Sequence, residues 1–428
     1  MAYSNNHYVP QFILRRFGNK INRYNVKTGE VKIKGSTLNA FSDEKIYPEW
    51  LEKMFGNLES KIANLIDNKV LNVEGEVTLS RADNILIKKF FTIATLRVPD
   101  SSLFNKRHFE SEESLKQQGF KEVFIENEND IDYAYRTMKV VLESNSIEEL
   151  YNHPQVTYEA CKWFSLFHNC FITIWDSKES KEDFVITDNG MNCEHDKTRF
   201  LTFNFDGKPY KNEKDEMLKA GYVMKKLDDN KDNPKKSSAY LHMFLRMSYV
   251  HANYYLFAVS GTRTIALINP FYRMYDDSTF LKEVNETPDV WPTLLSRKAM
   301  ESNSFTYVES GKTNGDDLFH YKIKNLSLEE VIIINCMMLD RVYYWVGFDN
   351  SVKIARSLNT YTMIAKNFQR NNYDKLVEYL YSLGCDFPRI KKYSDIKDKL
   401  TSMPFTDKEM EYIKFCYGLI KKSQCYIK

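Results

Sequence analysis

The spacing of apolar residues changes along this sequence, and this change limits the folds that the chain can adopt. Residues 48–66 repeat apolar side chains at helical spacing, with Leu51, Phe55 and Leu58 on one face. Residues 170–175 form a short run of β-branched and aromatic side chains, which is typical of a buried strand. The last third of the chain is helical again. Alternating strand–helix units are absent, which argues against a doubly wound sheet.

Local signals predict the remaining elements. Ser80-x-x-Asp83 and Ser327-x-x-Glu330 are capping boxes, and Thr406-x-x-Glu409 is a further capping pattern; each predicts the start of a helix. The predicted helices are a short one after Pro10 and residues 81–97, 156–167, 327–345 and 406–421; the predicted hairpins are residues 21–33 and 254–268, and residues 184–187 form a further strand. We therefore expect an α+β fold, mostly helical, with helices packed around a small mixed or antiparallel sheet. The expected subdomains are residues 1–150, 151–325 and 326–428.

Composition excludes several classes of protein. The 428 residues include 14% aromatic residues, which is enough for a large core and excludes a disordered chain. Lys and Arg total 60 against 58 Asp and Glu, so the net charge is +2. This balance argues against a protein that coats polyanions, but it does not exclude a local basic cleft.

The cysteines and the apolar runs indicate the compartment. The seven cysteines contain no C-x-x-C pair, which argues against a disulfide framework or a zinc ribbon. The N-terminus lacks the pattern of a signal peptide, and the longest apolar runs are too short to span a bilayer. We therefore expect a cytoplasmic protein without a membrane partner.

The densest group of polar side chains that could take part in catalysis or ligand binding lies near the N-terminus. His7, Gln11 and Arg15 are spaced four residues apart, so they share a face if the helix extends back to His7. A histidine can act as a general acid or base, and an arginine can clamp an anion. Alternatively, His7 caps a buried carbonyl and Arg15 pairs with a carboxylate such as Glu59.

Two later residues are further candidates. Asp188 ends a predicted strand, where it could serve as a metal ligand or a general base, although Asp188-Asn189-Gly190 also suits an ordinary turn. Asn335 lies within an apolar helix, and a buried amide is costly unless it is hydrogen-bonded. It could bind a ligand or a cleft residue, or it could satisfy a backbone group.

Other patterns carry less weight. Glu30-Val31-Lys32 matches half of a nuclease motif, but such short matches are frequent by chance. Cys193 and His195 have no second pair at finger spacing, which argues against zinc. We interpret Lys88-Lys89 as a solvated helix face. Classical nucleotide-binding loops are absent.

The opening His7-Tyr8-Val9-Pro10-Gln11-Phe12-Ile13-Leu14-Arg15-Arg16-Phe17 resembles a bacterial family known as domain of unknown function 4238, whose members begin HYVPQ-x-x-L-R-x-F. Arg97-Val98-Pro99, Thr187-Asp188-Asn189-Gly190 and Asn335 resemble later and looser parts of its pattern. Gly190 departs from the family's usual proline. The likeness extends from residue 7 to about residue 345.

The resemblance implies that these polar residues gather in one place, and that a role in phage defence is plausible. One hypothesis is a phage-defence or toxin-type hydrolase or nuclease that acts on nucleic acid or nucleotide phosphates. The other is a non-catalytic ligand-sensing or protein-interaction module with a buried polar network, with a protein partner or a homo-oligomer. The sequence does not identify a cofactor. The one carboxylate in this group, that of Asp188, is too few for a metal site. Under the first hypothesis the catalytic residues are His7, Gln11, Arg15 and Asp188, and the phosphate-binding residues are Arg97, Arg16 and Asn335.

Overall fold

A computed structural model describes most of the chain in seven segments. These are residues 5–44, 46–98, 122–189, 192–193, 254–268, 318–364 and 371–383. The predicted helix 406–421, Pro99, Gly190 and His195 lie outside them.

Helices and three sheets make up the described residues, so the α+β expectation is confirmed. The strands are β1 Asn5–His7, β2 Lys20–Asn25, β3 Val31–Ser36, β4 Ser42–Glu44, β5 Glu76–Ser80, β6 Phe171–Asp176, β7 Ile186–Thr187, β8 Asn192–Cys193, β9 Tyr254–Ala258, β10 Arg263–Ile268, β11 Leu318–Asn325 and β12 Trp345–Phe348. The helices are α1 Gln11–Leu14, α2 Glu49–Leu65, α3 Arg81–Leu96, α4 Asp130–Glu143, α5 Ile147–Tyr151, α6 Tyr158–Asn169, α7 Leu328–Asp340, α8 Ala355–Ile364 and α9 Asp374–Ser382. Both predicted hairpins are present, as β2–β3 and β9–β10.

The two predicted capping boxes that lie within the described residues open helices. Ser80 and Asp83 cap α3, and Ser327 and Glu330 cap α7, each through reciprocal hydrogen bonds. The expected end of α7 near Trp345 is wrong, because the helix stops at Asp340. The Asn371 amide hydrogen-bonds carbonyls at and beyond the end of this helix, and Trp345 begins a strand instead.

The first residues form a strand and then a short helix. His7 ends β1, which pairs with β4. Pro10 immediately precedes α1. The helix does not begin earlier, because the ring of Pro10 and its missing N–H oppose a helix through this position. A 3-10 turn over Arg15–Phe17 follows, and Gly18 ends it with a φ of 119°. The helical face that would include His7 is therefore not formed.

Two larger sheets organise the described residues. One has six strands in the order β5-β11-β6-β10-β9-β8, in which only the β11–β6 pair is parallel. The other has four strands in the order β3-β2-β12-β7. Each expected subdomain contributes a strand to this second sheet. The division into three subdomains stays a prediction.

A buried ion pair fixes the six-stranded sheet to α2. Asp176 ends β6 and faces Arg263 of β10, with 2.6 Å between Arg263 Nη2 and Asp176 Oδ2. Arg263 Nη1 also donates to the Val70 carbonyl oxygen at 2.7 Å, in the π-helical turn Ile66–Leu71 that continues α2. A buried charge is tolerated in the folded protein only when such partners are present.

Gly347 in β12 provides a test of the four-stranded sheet. A Cβ at this position would lie 2.9 Å from both Ile186 Cγ2 and Ile21 Cδ1. We expect Gly347→Ala to lower the free energy of unfolding by about 1–3 kcal/mol, because the packed neighbours must shift. Urea unfolding measures this change. The matched control is Gly56→Ala in α2, where nothing lies within 4 Å; it should stabilise by up to about 1 kcal/mol. Equal unfolding midpoints for the two variants would contradict this packing.

Candidate functional site

His7 is held by the backbone of a neighbouring segment. Its Nδ1 lies 3.0 Å from the Ala40 carbonyl oxygen, which can only accept, so Nδ1 carries the proton and Nε2 has a lone pair. Burial lowers the pKa of His7, although the Ala40 hydrogen bond opposes this shift. The half-buried imidazole is therefore neutral near pH 7.

Arg97 caps the end of α3 and is fully enclosed. Its Nη1 forms an ion pair with Glu59 of α2, and its Nη2 donates to the His7 carbonyl oxygen. The guanidinium lies 4.2 Å from the centroid of the Phe55 ring. Burial lowers the pKa of Arg97, but the charges of Glu59, Tyr47 and Glu52 and the hydrogen bond to Glu59 together outweigh it, so the net shift is upward. Arg97 thus joins β1, α2 and α3.

The two arginines of the opening motif, Arg15 and Arg16, lie in the 3-10 turn after α1. Arg15 Nη2 donates to Gln11 Oε1 at 2.8 Å, so these two residues do share a face. Arg16 donates to Asp67 Oδ1 at 2.7 Å and also reaches the Ala63 carbonyl oxygen. The alternative pairing of Arg15 with Glu59 is wrong, because Arg97 occupies that carboxylate.

Asp188 closes the turn between α7 and β12. Its carboxylate accepts backbone N–H groups from Tyr343, Tyr344 and Trp345 at 2.6–2.9 Å. Burial raises the pKa of Asp188 to about 6, and these hydrogen bonds limit the rise. No hydrogen bond or ion pair joins Asp188 to His7 within the part of the chain that the structure describes.

Asn335 fills a similar role inside α7. Its Oδ1 accepts the Val185 N–H at 3.1 Å, and its Nδ2 donates to the Asp183 carbonyl oxygen at 2.8 Å and to Ser357 Oγ at 2.9 Å. The amide is completely buried and satisfied. Of the alternatives that the sequence leaves open, the structure therefore favours the satisfied backbone.

The seven sequence-predicted residues thus lie in separate groups. The structure brings His7 together with Arg97, and Gln11 with Arg15. Arg16, Asp188 and Asn335 each bind other partners.

The structure buries two lysines of α3 that the sequence predicted to be solvated. The expected solvated face is wrong, because Lys88 is 1% exposed and Lys89 is 8% exposed. Burial lowers the pKa of Lys88 to about 7 and that of Lys89 to about 8. The sequence contains a pattern that predicts this burial. Apolar residues surround these lysines on nearly every side of α3, and a helix of that kind is buried.

Comparison with known proteins identifies the family. A family model described as "Protein of unknown function (DUF4238)" matches residues 5–218, which is half of the chain. The chain belongs to this family. The DUF4238 match includes the groups around His7, Arg97 and Asp188 but ends before Asn335. No curated protein and no solved structure matches the chain.

No helix in the described ranges is both long and apolar enough to cross a membrane. In the same ranges, no three His, Cys, Asp or Glu side chains form a group that could hold a metal ion.

Arg97 and Arg15 offer a matched pair of variants from the DUF4238 match. Arg97→Met would leave Glu59 without its ion-pair partner and the His7 carbonyl without its donor, so we expect a loss of about 3–5 kcal/mol in unfolding free energy. Arg15→Met removes an exposed hydrogen bond and should change it by less than about 0.5 kcal/mol. Chemical denaturation measures both. Similar losses in the two variants would argue against a special role of Arg97 in stability.

Asp188→Asn tests the turn between α7 and β12. One carboxylate oxygen becomes an NH₂ group that faces backbone N–H groups, so we expect a loss of about 2–4 kcal/mol. Asp43→Asn is the control. Asp43 is exposed, and its charge, like that of Asp188, raises the pKa of Tyr8. Thermal unfolding followed by circular dichroism separates the two. An unchanged midpoint for Asp188→Asn would contradict this role.

Proposed function

We propose that the protein is a non-catalytic ligand-sensing module whose motif residues stabilise the fold. The burial of Arg97 carries this proposal. Its side chain is 2% exposed and already bound to Glu59 and to the His7 carbonyl oxygen. A phosphate group would have to displace a carboxylate to reach it. A residue that supplies charge to a reaction needs access to the reacting group.

The contacts of Asp188 and Asn335 support the same proposal. The side chains of Asp188 and Asn335 form hydrogen bonds mainly with backbone N–H and carbonyl groups. Fully satisfied polar networks of this kind fix one arrangement of the packed elements. In this interpretation the ligand binds elsewhere in the molecule.

A second candidate is a hydrolase or nuclease of the phage-defence or toxin type, with His7 as general acid or base. The specific observation in its favour is the orientation of the imidazole by the Ala40 carbonyl, which leaves Nε2 able to accept a proton. The next residue, Phe41, has a φ of 53°, which is rare for a bulky side chain. Backbone strain of this kind clusters at functional sites.

His7→Ala separates the two candidates. For a sensing module we expect no hydrolysis of single-stranded RNA or bis(p-nitrophenyl) phosphate by the unaltered protein. The variant should lose about 1–3 kcal/mol in unfolding free energy, because the Ala40 carbonyl loses its donor. The control is His320→Ala at an exposed position of β11, which should change stability by less than about 0.5 kcal/mol.

The opposite result would establish the second candidate. The unaltered protein would then hydrolyse one of these substrates, and His7→Ala would reduce the rate by about 100-fold or more while the unfolding midpoint stays the same.

A further inference from the structure

The hairpin β2–β3 concentrates positive charge at one place on the molecule. Residues 20–36 contain five basic residues and one acidic residue, a net charge of +4, whereas the whole chain has a net charge of +2. Four of these basic residues, Lys20, Lys27, Lys32 and Lys34, are exposed. A local charge of this kind attracts anionic polymers, although the chain as a whole is close to neutral.

Strand β3 forms an edge of the four-stranded sheet. Its Lys32, Ile33 and Lys34 are exposed, and only β2 pairs with it among the described residues. The pairing contains a register shift, and Lys34, which has a φ of 47°, donates its N–H to Asn22 Oδ1 at 2.9 Å. Lysines and a bulge at an edge oppose the addition of another strand. The edge is therefore unsuited to a protein partner that would extend the sheet.

Trp345 of β12 lies on the same face of the sheet as two cations. Lys32 pairs with Arg23, and Arg23 pairs with Gly347, two residues after Trp345. The distance to the centroid of the Trp345 ring is 4.9 Å from Lys32 Nζ and 5.3 Å from Arg23 Cζ. These are cation–π distances. The Trp345 side chain is partly exposed, so this face presents an aromatic ring beside two positive charges.

Arg23 is buried without a carboxylate partner. It is 7% exposed, its Nη1 donates to the Asn39 carbonyl oxygen at 2.9 Å, and its Nε is buried with no hydrogen-bond partner in the described segments. Burial lowers the pKa of Arg23, whereas the charges of Tyr8 and Glu30 oppose that shift. A buried cation without a paired counter-charge is costly, and a bound anion would offset this cost.

Other buried arginines differ from Arg23 in this respect. Arg97, Arg136 and Arg263 each form an ion pair with a carboxylate. Lys32 does pair with Glu30 at 3.3 Å, but the two side chains are 43% and 50% exposed. An exposed pair of this kind contributes little, so it leaves Lys32 available to another anion.

We call Arg23, Lys32, Lys34 and Trp345 the hairpin surface. We propose that the hairpin surface binds single-stranded nucleic acid, with Lys32 and Lys34 on phosphates, a base stacked on the Trp345 indole, and Arg23 as a fixed positive charge beside it. Proteins that bind single strands without sequence preference combine basic side chains with aromatic rings in this way. The inference rests on the proposed function, because it names the class of ligand that the module senses.

The geometry of the hairpin surface favours a single strand over a duplex. A base can stack on an indole only when one of its faces is free, and a base within a duplex is stacked on both sides. The ammonium of Lys32 lies over the Trp345 ring, but its long stem is flexible and the side chain is exposed. It can therefore move to a phosphate and leave the ring to a base.

Fluorescence anisotropy of the full chain with a labelled oligothymidylate of about 20 nucleotides tests this assignment. We expect a Kd of about 10 μM or tighter at about 50 mM salt. Two phosphate contacts predict a slope of about −1.4 in a plot of log K against log salt, so binding should weaken about sevenfold at about 200 mM salt. Absence of binding by the unaltered protein would overturn the proposal.

Two competitors distinguish the ligand from other anionic polymers. A duplex of the same length should bind at least about fivefold more weakly, because it offers no free base to the indole. Polyglutamate should not displace the oligonucleotide at equal concentration, because it offers neither phosphates nor bases. Equal competition by either one would contradict the assignment to single-stranded nucleic acid.

Lysine variants assign the binding to the hairpin surface. Lys32→Gln and Lys34→Gln should each weaken binding by about threefold or more and make the salt slope shallower by about 0.7, since each removes one phosphate contact. Both side chains are exposed, so the fold should be retained. The matched control is Lys322→Gln, at an exposed lysine of β11, which should change neither quantity. An equal loss in Lys322→Gln, or unchanged binding in both hairpin variants, would argue against this surface.

Trp345 variants test the stacking separately from the charge. Trp345→Leu should weaken binding by about fivefold or more with an unchanged salt slope, because it removes a ring and no cation. Trp345→Phe should restore most of the affinity. Leu and Phe variants that fold equally well and bind equally would contradict the stacking.

Gel electrophoresis of the same oligonucleotide after incubation separates this inference from the proposed function. Cleavage of the strand together with binding that depends on Lys32 and Lys34 would remove the sensing function and keep the hairpin surface. Absence of both binding and cleavage would remove the hairpin surface alone.

Discussion

The buried guanidinium of Arg97 links the first strand to two helices. Its ion pair with Glu59 fixes the end of α3 against α2, and its hydrogen bond to the His7 carbonyl fixes β1 against both. A buried charge is tolerated only with such partners, so these elements must keep their relative positions. The His7 ring, in turn, is oriented by the Ala40 carbonyl oxygen. The opening motif and the end of α3 therefore act as one structural unit.

Polar side chains bind the later part of the chain in the same manner. Asp188 holds the turn before β12, and Asn335 holds α7 against the segment before β7. These residues look like a reaction centre in the sequence because they are polar and lie in apolar surroundings. The same surroundings require that each of them be hydrogen-bonded, and the backbone supplies the partners.

Several features could be predicted from neighbouring residues alone. Capping boxes at Ser80 and Ser327 and the glycine stop at Gly18 are local, because they involve residues three or four positions apart. The errors arose where distant segments decide. Lys88 was assigned to a solvated face, since lysines are usually exposed; the packing of α3 against α6 buries it instead.

The sequence by itself determined the family, the α+β class and the starts of the main helices, because periodicity and capping act over a few residues. Only the tertiary structure decided the partner of each polar group. Arg97 and His7 are 90 positions apart, and Asn335 and Val185 are 150 apart. No local pattern encodes such pairs. They form because the packing of whole helices and strands removes water from a charge or an amide, which must then bind whatever the fold has placed beside it.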